Sequence, residues 1–424
     1  MTERFLLRGG CVLTLGAKTP NFRRADVLID DGRVAEVGPG LRARDAEVVD
    51  AADAIVMPGF VDTHRHARRS LHRNLGDGSP AGDAAVPATP DDVYAATLIG
   101  LLGAVEAGIT TVVDWHDAGV DDSSAEAALQ AHTDAGLRTV LVHPSAELLR
   151  RLAEAAGPST TVALGAGEAP ADHGGLPADW AGARERGHRI HVHAGAGTTW
   201  RGVVSRLARE GVLGADVTII HCVGLDEGDL DAVASSGASV SLTPSSEMAG
   251  GAGAPPVQQL IDRGVRPGLG VDDERVAPGD MFAQMRQAIS LQHATMFDLK
   301  LAGKAGIPRL MTTRDVIRYA TFEAARAAGL GEVAGSLEPG KQADVIVLRT
   351  DRPNIFPVND PIGAVVWGMD TSNVDWVFAG GRVLMREGVL QADVERARKL
   401  AAEARERVSA AARLPARATA RSEG

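Results

Sequence analysis

The segment PGFVDTHRH, residues 58–66, carries most of the information about the fold. Its apolar first half is typical of a buried strand, and this strand ends in His64 and His66. Alternate residues of a strand point to the same side of a sheet, so both imidazoles can face one metal ion. Isolated His-x-His pairs are common by chance, but this pair lies where a pattern of short strands and tight turns ends and a pattern of alternating apolar runs and amphipathic stretches begins. We therefore expect a metal-binding domain to begin at residue 58.

The residues before this segment have the pattern of short strands with tight turns. Asp31-Gly32 lies between alternating apolar residues, which is a strong hairpin signal. The other end of the chain has the same pattern of short strands and tight turns, with Gly380-Gly381 as a second hairpin turn. We predict that residues 1–57 and 335–392 form one composite β-sandwich domain. Residues 393–424 are predicted to form a helix followed by a frayed tail.

The middle of the chain alternates apolar runs with amphipathic stretches, which favours parallel βα units. Eight such runs fall within about 270 residues, the usual size of a (β/α)8 barrel. We therefore predict an α/β fold with a (β/α)8 (TIM) barrel over residues 58–334. An open, doubly wound sheet is the alternative, although no glycine-rich dinucleotide fingerprint follows the early strands. The candidate strands are GFVDTH, GITTVVDW, RTVLVH, TVALGAG, RIHVHA, DVTIIHC, ASVSLTP and PGLGVD.

Composition restricts the class of partner. The formal net charge of −11 over 424 residues argues against nucleic acid, which binds cationic surfaces. Two cysteines, Cys11 and Cys222, exclude a disulfide framework or a cysteine-rich zinc site and fit a reducing cytoplasm. The N-terminus is unlike a signal peptide, and no run approaches the roughly 20 apolar residues of a membrane helix. We expect a soluble cytoplasmic protein that acts on a small molecule and has no nucleic-acid or membrane partner.

Further histidines and an aspartate end other candidate strands. RIHVHAG contains His191 and His193, DVTIIHC reaches His221, and GLGVDD reaches Asp272. The C-terminal strand ends of such a barrel meet at one mouth, where the active sites of this fold lie. Three imidazoles and one carboxylate suit a single divalent ion, Zn²⁺ above all, with Fe²⁺ or Mn²⁺ as alternatives. Such an ion would lower the pKa of a bound water and so provide a hydroxide nucleophile. We expect His191 to be packed in the core.

These motifs resemble those of the amidohydrolase superfamily, especially its branch of atrazine and triazine hydrolases and of cytosine and guanine deaminases. The resemblance extends to about residue 392 and implies four metal ligands, His64, His66, His193 and Asp272. It also implies that Asp272 moves a proton between the water and the leaving group, and that His221 lies beside the ion. Proteins of this kind are often homo-oligomers, so we expect a dimer or a larger assembly. The matching segments are PGFVDTHRH (58–66), IHVHAG (190–195), IIHCVGLDEGDLDAVASSGASVSLTP (219–244), LGVDD (269–273) and GSLEPGKQADVIVL (335–348).

One position departs from the pattern of the deaminases in that family. Their fifth strand runs His-x-x-Glu, and this Glu protonates the ring of the substrate, whereas Ala196 stands at the matching position here. Loss of a general acid typically lowers a rate by about 10²–10⁴-fold, so either another group acts or the reaction differs. Glu247, in TPSSEMAGG, is our candidate for that catalytic group. Three residues at other strand ends are candidates for positioning the substrate: His116, His143 and Glu168.

The loop after the His-x-His pair is basic. Its sequence, HARRSLHRNLGDGSPAG, contains Arg68 and Arg73, which we predict to contact the substrate. A guanidinium binds a carboxylate through two parallel hydrogen bonds, so a carboxylated substrate is a reasonable hypothesis. The alternative is that Arg73 has a structural role.

The sequence therefore favours a metal-dependent hydrolase of a C–N bond, acting by deamination or by opening a cyclic amide or amidine in a small polar substrate. Two alternatives stay open. One is a lyase, isomerase or cyclase that uses the ion as a Lewis acid, and the other is a diverged metal-binding protein without activity. Release of ammonia would separate deamination from the non-hydrolytic reactions.

Overall fold

Two β-sheets organise the chain in the computed structural model, which describes residues 4–73, 89–116, 122–166, 176–196 and 201–412. One sheet has eight strands from the middle of the chain, and the other has nine strands and combines both chain ends. The strands are β1 (Phe5–Val12), β2 (Phe22–Asp30), β3 (Arg33–Gly38), β4 (Glu47–Asp50), β5 (Ala54–Pro58), β6 (Phe60–Arg65), β7 (Ile109–Trp115), β8 (Arg138–His143), β9 (Thr160–Ala166), β10 (Ile190–Ala196), β11 (Val217–Val223), β12 (Ser239–Leu242), β13 (Gly268–Leu269), β14 (Val345–Arg349), β15 (Val374–Ala379), β16 (Arg382–Arg386) and β17 (Val389–Leu390).

Strands β6 to β13 follow one another in chain order, each paired in parallel with its neighbours. Backbone hydrogen bonds just beyond β13 join the last strand to the first. The N–H of Asp272 donates to the carbonyl of His64 at 2.8 Å, and the N–H of His66 donates to the carbonyl of Asp272 at 3.0 Å. Each of the eight strands coincides with one predicted from the sequence, so the (β/α)8 prediction is confirmed.

The nine-stranded sheet folds over on itself. Its order is β17-β16-β15-β14-β5-β1-β2-β3, with β4 beside β1. The rings of Phe5 in β1 and Phe378 in β15 lie 5.1 Å apart, although two strands separate them in this order. The sheet therefore encloses an apolar core as a sandwich does. The hairpin turn at Asp31-Gly32 joins β2 to β3, with the positive φ angles (47° and 72°) that such a turn needs. The residue limits of the two domains stay a prediction.

A buried ion pair joins the barrel to this sheet. Arg138, at the start of β8, donates two hydrogen bonds to the carboxylate of Asp344, just before β14, at 2.7 and 3.2 Å. The same carboxylate accepts the backbone N–H of Gly380 at 2.6 Å. Both charged side chains are almost fully buried, so removal of either one would leave an uncompensated charge away from water.

Helices follow most of the barrel strands. The first begins with a capping box between Thr89 and Asp92 and has Pro90 at its first position. The C-terminal helix packs along this first helix, where Arg407 donates hydrogen bonds to Asp92. None of the helices in the described ranges has the length and hydropathy of a membrane-spanning segment. The helices are α1 (Pro90–Glu106), α2 (Asp122–Ala135), α3 (Ala146–Ala155), α4 (Leu176–Glu185), α5 (Val203–Arg209), α6 (Glu227–Ser236), α7 (Pro244–Ala249), α8 (Val257–Asp262), α9 (Met281–Leu301), α10 (Thr313–Tyr319), α11 (Phe322–Ala327), α12 (Pro361–Gly363) and α13 (Val394–Ala412), with 3-10 helices at Ala67–His72 and Thr371–Asn373 and a π-helical turn at Ala364–Gly368.

Candidate active site

Four side chains converge at the C-terminal ends of the barrel strands. His64 and His66 lie at the end of β6, His193 lies in β10, and Asp272 follows β13. Nε2 of His64 is 3.2 Å from Nε2 of His193 and 3.5 Å from Oδ1 of Asp272. Nε2 of His66 is 3.4 Å from the same oxygen. Neighbouring ligands of one tetrahedral zinc ion, bound at about 2.0–2.2 Å, are about 3.4 Å apart, and these three separations match that distance. The donor atoms fall into two overlapping groups that share His64, one with His193 and His221 and the other with His66 and Asp272.

The surroundings keep these groups in the protonation states that metal binding requires. Desolvation by burial lowers the pKa of His64 to about 4 and lowers the pKa of His193 well below its usual value. Both rings are therefore neutral at pH 7 and offer lone pairs. Burial alone would raise the pKa of Asp272, but hydrogen bonding and charge interactions with His64 outweigh it and hold that pKa well below its usual range.

His221 lies beside this cluster, in β11. One of its ring nitrogens is within 4.8 Å of donor atoms of His64 and His193. The backbone at His221 and Asp272 has φ angles of 77° and 64°, in the left-handed region that costs a residue with a side chain roughly 1–2 kcal/mol. Such strain is typical of functional sites, and nothing in the sequence pattern indicates it.

The short helix α7 holds two of these groups through consecutive residues. The hydroxyl of Ser246 donates to Oδ2 of Asp272 at 2.6 Å, and Oδ1 of the same carboxylate is the oxygen near the histidines. Oε1 of Glu247 accepts a hydrogen bond from the backbone N–H of Thr243 at 2.9 Å and lies within hydrogen-bond distance, 3.1 Å, of Nδ1 of His221. Burial raises the pKa of Glu247, and the hydrogen bond from His221 opposes that shift. The sequence pattern predicts a role for Glu247 but not for Ser246, because a serine in a polar loop carries no distinguishing pattern.

A fully buried arginine, Arg65, connects β6, which carries the His-x-His pair, to the residues after β13, which include Asp272. Arg65, between the two histidines of β6, donates to Oδ2 of Asp62 at 2.7 Å and lies 3.2 Å from Oε2 of Glu274. The other oxygen of Asp62 accepts the backbone N–H of Val271 at 3.0 Å. These contacts fix β6 against the end of β13. The sequence pattern does not predict this network, although a charged residue within an otherwise apolar strand is a signal that could have indicated it.

The two arginines predicted to contact the substrate both lie in the loop after β6. Arg73 donates two 3.0 Å hydrogen bonds to the carboxylate of Glu274, which also accepts the hydroxyl of Ser70. This arginine therefore ties the loop after β6 to the residues after β13, which supports its structural alternative. Arg68 lies on the 3-10 helix Ala67–His72, directly after the His-x-His pair.

Two of the predicted substrate-positioning residues contact each other. The rings of His116 and His143, after β7 and at the end of β8, stack 5.5 Å apart. The third such residue, Glu168, lies outside the described residues. His191 is fully buried in β10, and among the described residues neither of its ring nitrogens has a hydrogen-bond partner. Its surroundings are those of a packed core side chain.

Comparison with known proteins gives consistent matches along the chain. The sequence model of the Amidohydrolase family matches residues 55–384. The chain is 30% identical to the 5'-deoxyadenosine deaminase of Methanothermobacter thermautotrophicus, over 92% of this chain and 95% of that protein. It is also 30% identical to a 5-methylthioadenosine/S-adenosylhomocysteine deaminase of Pelotomaculum thermopropionicum, over 95% of this chain and 97% of that protein.

Among solved structures, an adenosine deaminase from Xanthomonas campestris with bound zinc superimposes with a TM-score of 0.82. The two sequences are 22% identical, and the alignment covers 96% of this chain and 98% of the other. At that identity the likeness concerns the fold, and it agrees with the barrel and the folded sheet described above.

Proposed function

The chain belongs to the amidohydrolase family, and on this premise we propose that it is a hydrolytic deaminase that releases ammonia from an adenosine-type nucleoside. The general class, a metal-dependent hydrolase of C–N bonds, follows from the family and from deaminases that match more than nine-tenths of the chain. The substrate class is taken from the two relatives at 30% identity, whose names specify adenosine derivatives.

The spacing of the four donor atoms is the observation on which this proposal depends. We propose that His64, His66, His193 and Asp272 hold one divalent ion, because three donor separations of 3.2–3.5 Å, typical of neighbouring zinc ligands, link the four residues in one chain of contacts. Three nitrogens and one oxygen favour zinc, with iron or manganese as alternatives. When bound, such an ion makes water nucleophilic at neutral pH.

The residues in and around the cluster have separate roles in the reaction. Asp272 takes the two protons of the attacking water in turn and delivers one to the ring nitrogen and one to the leaving nitrogen, so that R–NH2 and H2O become the ring lactam and NH3. Ser246 holds Oδ2 of Asp272 in place during this transfer. His221, whose side chain is 14% exposed, orients the water. Ala196, in β10, the fifth strand of the barrel, stands where related deaminases have a glutamate, and we assign proton transfer to the substrate to Asp272 instead.

The experiment is an ammonia assay on the full-length chain loaded with Zn²⁺. Adenosine, 5'-deoxyadenosine and 5'-methylthioadenosine are incubated with the wild-type protein, with His193→Ala, and with the control His188→Ala, which changes a histidine in the turn before β10. We expect ammonia from the wild type and from the control, and a loss of both metal and activity in His193→Ala.

Three other results would overturn the proposal. Turnover of a cyclic amide or amidine without ammonia would indicate ring opening, and turnover without addition of water would indicate a lyase, isomerase or cyclase. Bound metal without turnover of any substrate would indicate a non-catalytic protein. Elemental analysis of the same sample identifies the metal. Light scattering tests our further proposal that the protein is a homodimer or a larger homo-oligomer.

A further inference from the structure

We propose that Glu247 is a positioning residue that fixes His221 in one tautomer, with the proton on Nδ1 and the lone pair on Nε2. This inference deepens the proposed function and rests on it for its catalytic consequence. The two residues are brought together by the chain turn between β12 and α7, and Glu247 Oε1 lies 3.1 Å from His221 Nδ1.

Exposure separates the groups that can touch a substrate from the one that cannot. The side chain of Glu247 is 1% exposed, whereas the side chains of His221 and Asp272 are 14% and 13% exposed. Among the described residues, Oε2 of Glu247 has no hydrogen-bond partner, and this atom is closed off from solvent. A carboxyl group in this position cannot reach a ring in the barrel mouth, so Glu247 acts through His221.

The hydrogen bonds define the direction of that effect. Oε1 of Glu247 already accepts the backbone N–H of Thr243 at 2.9 Å, and a backbone N–H can only donate. Because Oε1 accepts that N–H, a hydrogen between Oε1 and the ring of His221 belongs to the imidazole. Nδ1 of His221 is therefore the donor, and Thr243 Oγ1 at 3.2 Å from the same nitrogen supports this orientation of the ring.

A fixed tautomer determines what His221 can do. With Nδ1 protonated, Nε2 is a hydrogen-bond acceptor, as is usual where a carboxylate orients a histidine beside a metal. Nε2 of His221 can then accept a hydrogen bond from the attacking water, and it cannot donate a hydrogen bond to the substrate. We assign the return of the proton to the leaving nitrogen to Asp272, whose side chain is 13% exposed.

Three variants in α7 test whether the effect of Glu247 comes from its hydrogen-bond acceptor or only from its packing. Glu247→Met keeps the volume and removes the acceptor, Glu247→Gln keeps an acceptor without the charge, and Met248→Leu is the control on the neighbouring residue. We expect Glu247→Met to lower kcat by about 10–100-fold, as the loss of an orienting partner usually does, with KM changed less than about twofold. Glu247→Gln should restore most of the rate, and Met248→Leu should match the wild type.

A second readout is independent of activity. In protein labelled with ¹⁵N-histidine, the signal assigned to His221 by its disappearance in His221→Asn should show a protonated Nδ1 and an unprotonated Nε2. Glu247→Met should abolish or mix this pattern. The inference is overturned if His221 is protonated on Nε2 in the wild type, if Glu247→Met retains the full kcat, or if Glu247→Gln loses as much as Glu247→Met. A wild type with this tautomer but no ammonia release would refute the proposed function alone.

Discussion

The hydroxyl of Ser246 lies 2.6 Å from Oδ2 of Asp272, whereas Oδ1 of that carboxylate is 3.5 Å from Nε2 of His64. The two oxygens of one carboxylate therefore have different partners. A carboxylate held by a donor on one side cannot rotate freely, so its other oxygen stays directed at the histidines. Hydrogen bonds of this kind set the orientation and the basicity of metal ligands.

Ser246→Ala should remove this restraint on the Asp272 carboxylate while the metal ion stays bound. We expect kcat to fall by about 10–100-fold, with a smaller change in KM, because the carboxylate that moves the proton loses its orientation. The matched control is Ser245→Ala, since the hydroxyl of Ser245 has no hydrogen-bond partner among the described residues. Steady-state kinetics on both variants makes the comparison, and equal losses in the two would show that the contact to Asp272 has no special role.

The two histidines of β10 should differ in their effect on metal content. His193→Ala should lose the ion, whereas His191→Leu should still bind one ion per chain. The second variant replaces a buried ring that has no hydrogen-bond partner in the part of the chain that the structure describes, so the free energy of unfolding should stay equal or rise by about 1 kcal/mol. Elemental analysis and chemical denaturation test both points. Loss of the ion in His191→Leu would contradict the ligand assignment.

The fold was predictable because its signals are local. Each barrel strand is a short apolar run that ends in a turn or a polar residue, and the hairpin at Asp31-Gly32 has the turn residues its backbone needs. The strand-end positions of the four donor residues follow from the same runs. Parallel strands bring their C-terminal ends together, so the sequence also indicated that these donors would meet.

The supporting contacts were not predictable, because they join residues that are distant in the chain. Arg65 pairs with Glu274, more than two hundred positions away, and no periodicity links the two. Ser246 reaches Asp272 only because α7 folds back over the barrel mouth. The left-handed backbone at His221 likewise depends on tertiary contacts, since the sequence there reads as an uninterrupted strand.

Removal of one partner of the buried ion pair between Arg138 and Asp344 should strongly destabilise the fold. Arg138→Met leaves a buried carboxylate without its guanidinium, which should lower the free energy of unfolding by about 3–5 kcal/mol. The control is Arg150→Met, which breaks an exposed i,i+4 pair with Glu154 and should cost about 0.5 kcal/mol or less. Urea denaturation measures both changes. A small effect of Arg138→Met would mean that the sheet and the barrel do not depend on this contact.

Asp315 should make stability depend on pH in a narrow acidic range. Burial opposes its ionisation, but hydrogen bonds from Arg309 and Thr312 outweigh burial and lower the pKa of Asp315 to about 2. A carboxyl group with a lowered folded-state pKa stabilises the fold above its unfolded pKa of about 3.9 and loses that contribution as the pH falls towards 2. Asp315→Asn should therefore be less stable than the wild type at pH 6, and the difference should shrink below pH 4. Denaturation curves across this range test the sign, and a constant difference would exclude the linkage.

Substrate charge should distinguish Arg68 from Arg73. S-adenosylhomocysteine carries an amino-acid carboxylate, whereas 5'-methylthioadenosine presents the same purine without one, so the two form a matched pair. If Arg68 binds a carboxylate, Arg68→Ala should raise KM for the first substrate by about 10–100-fold, the value of a charge-assisted hydrogen bond, and should leave the second nearly unchanged. Arg73 is held by two hydrogen bonds to Glu274, so Arg73→Ala should affect both substrates equally and lower the free energy of unfolding. An equal loss on both substrates in Arg68→Ala would end the hypothesis of carboxylate recognition, because a group that recognises the carboxylate has no reason to weaken binding of a molecule that lacks it.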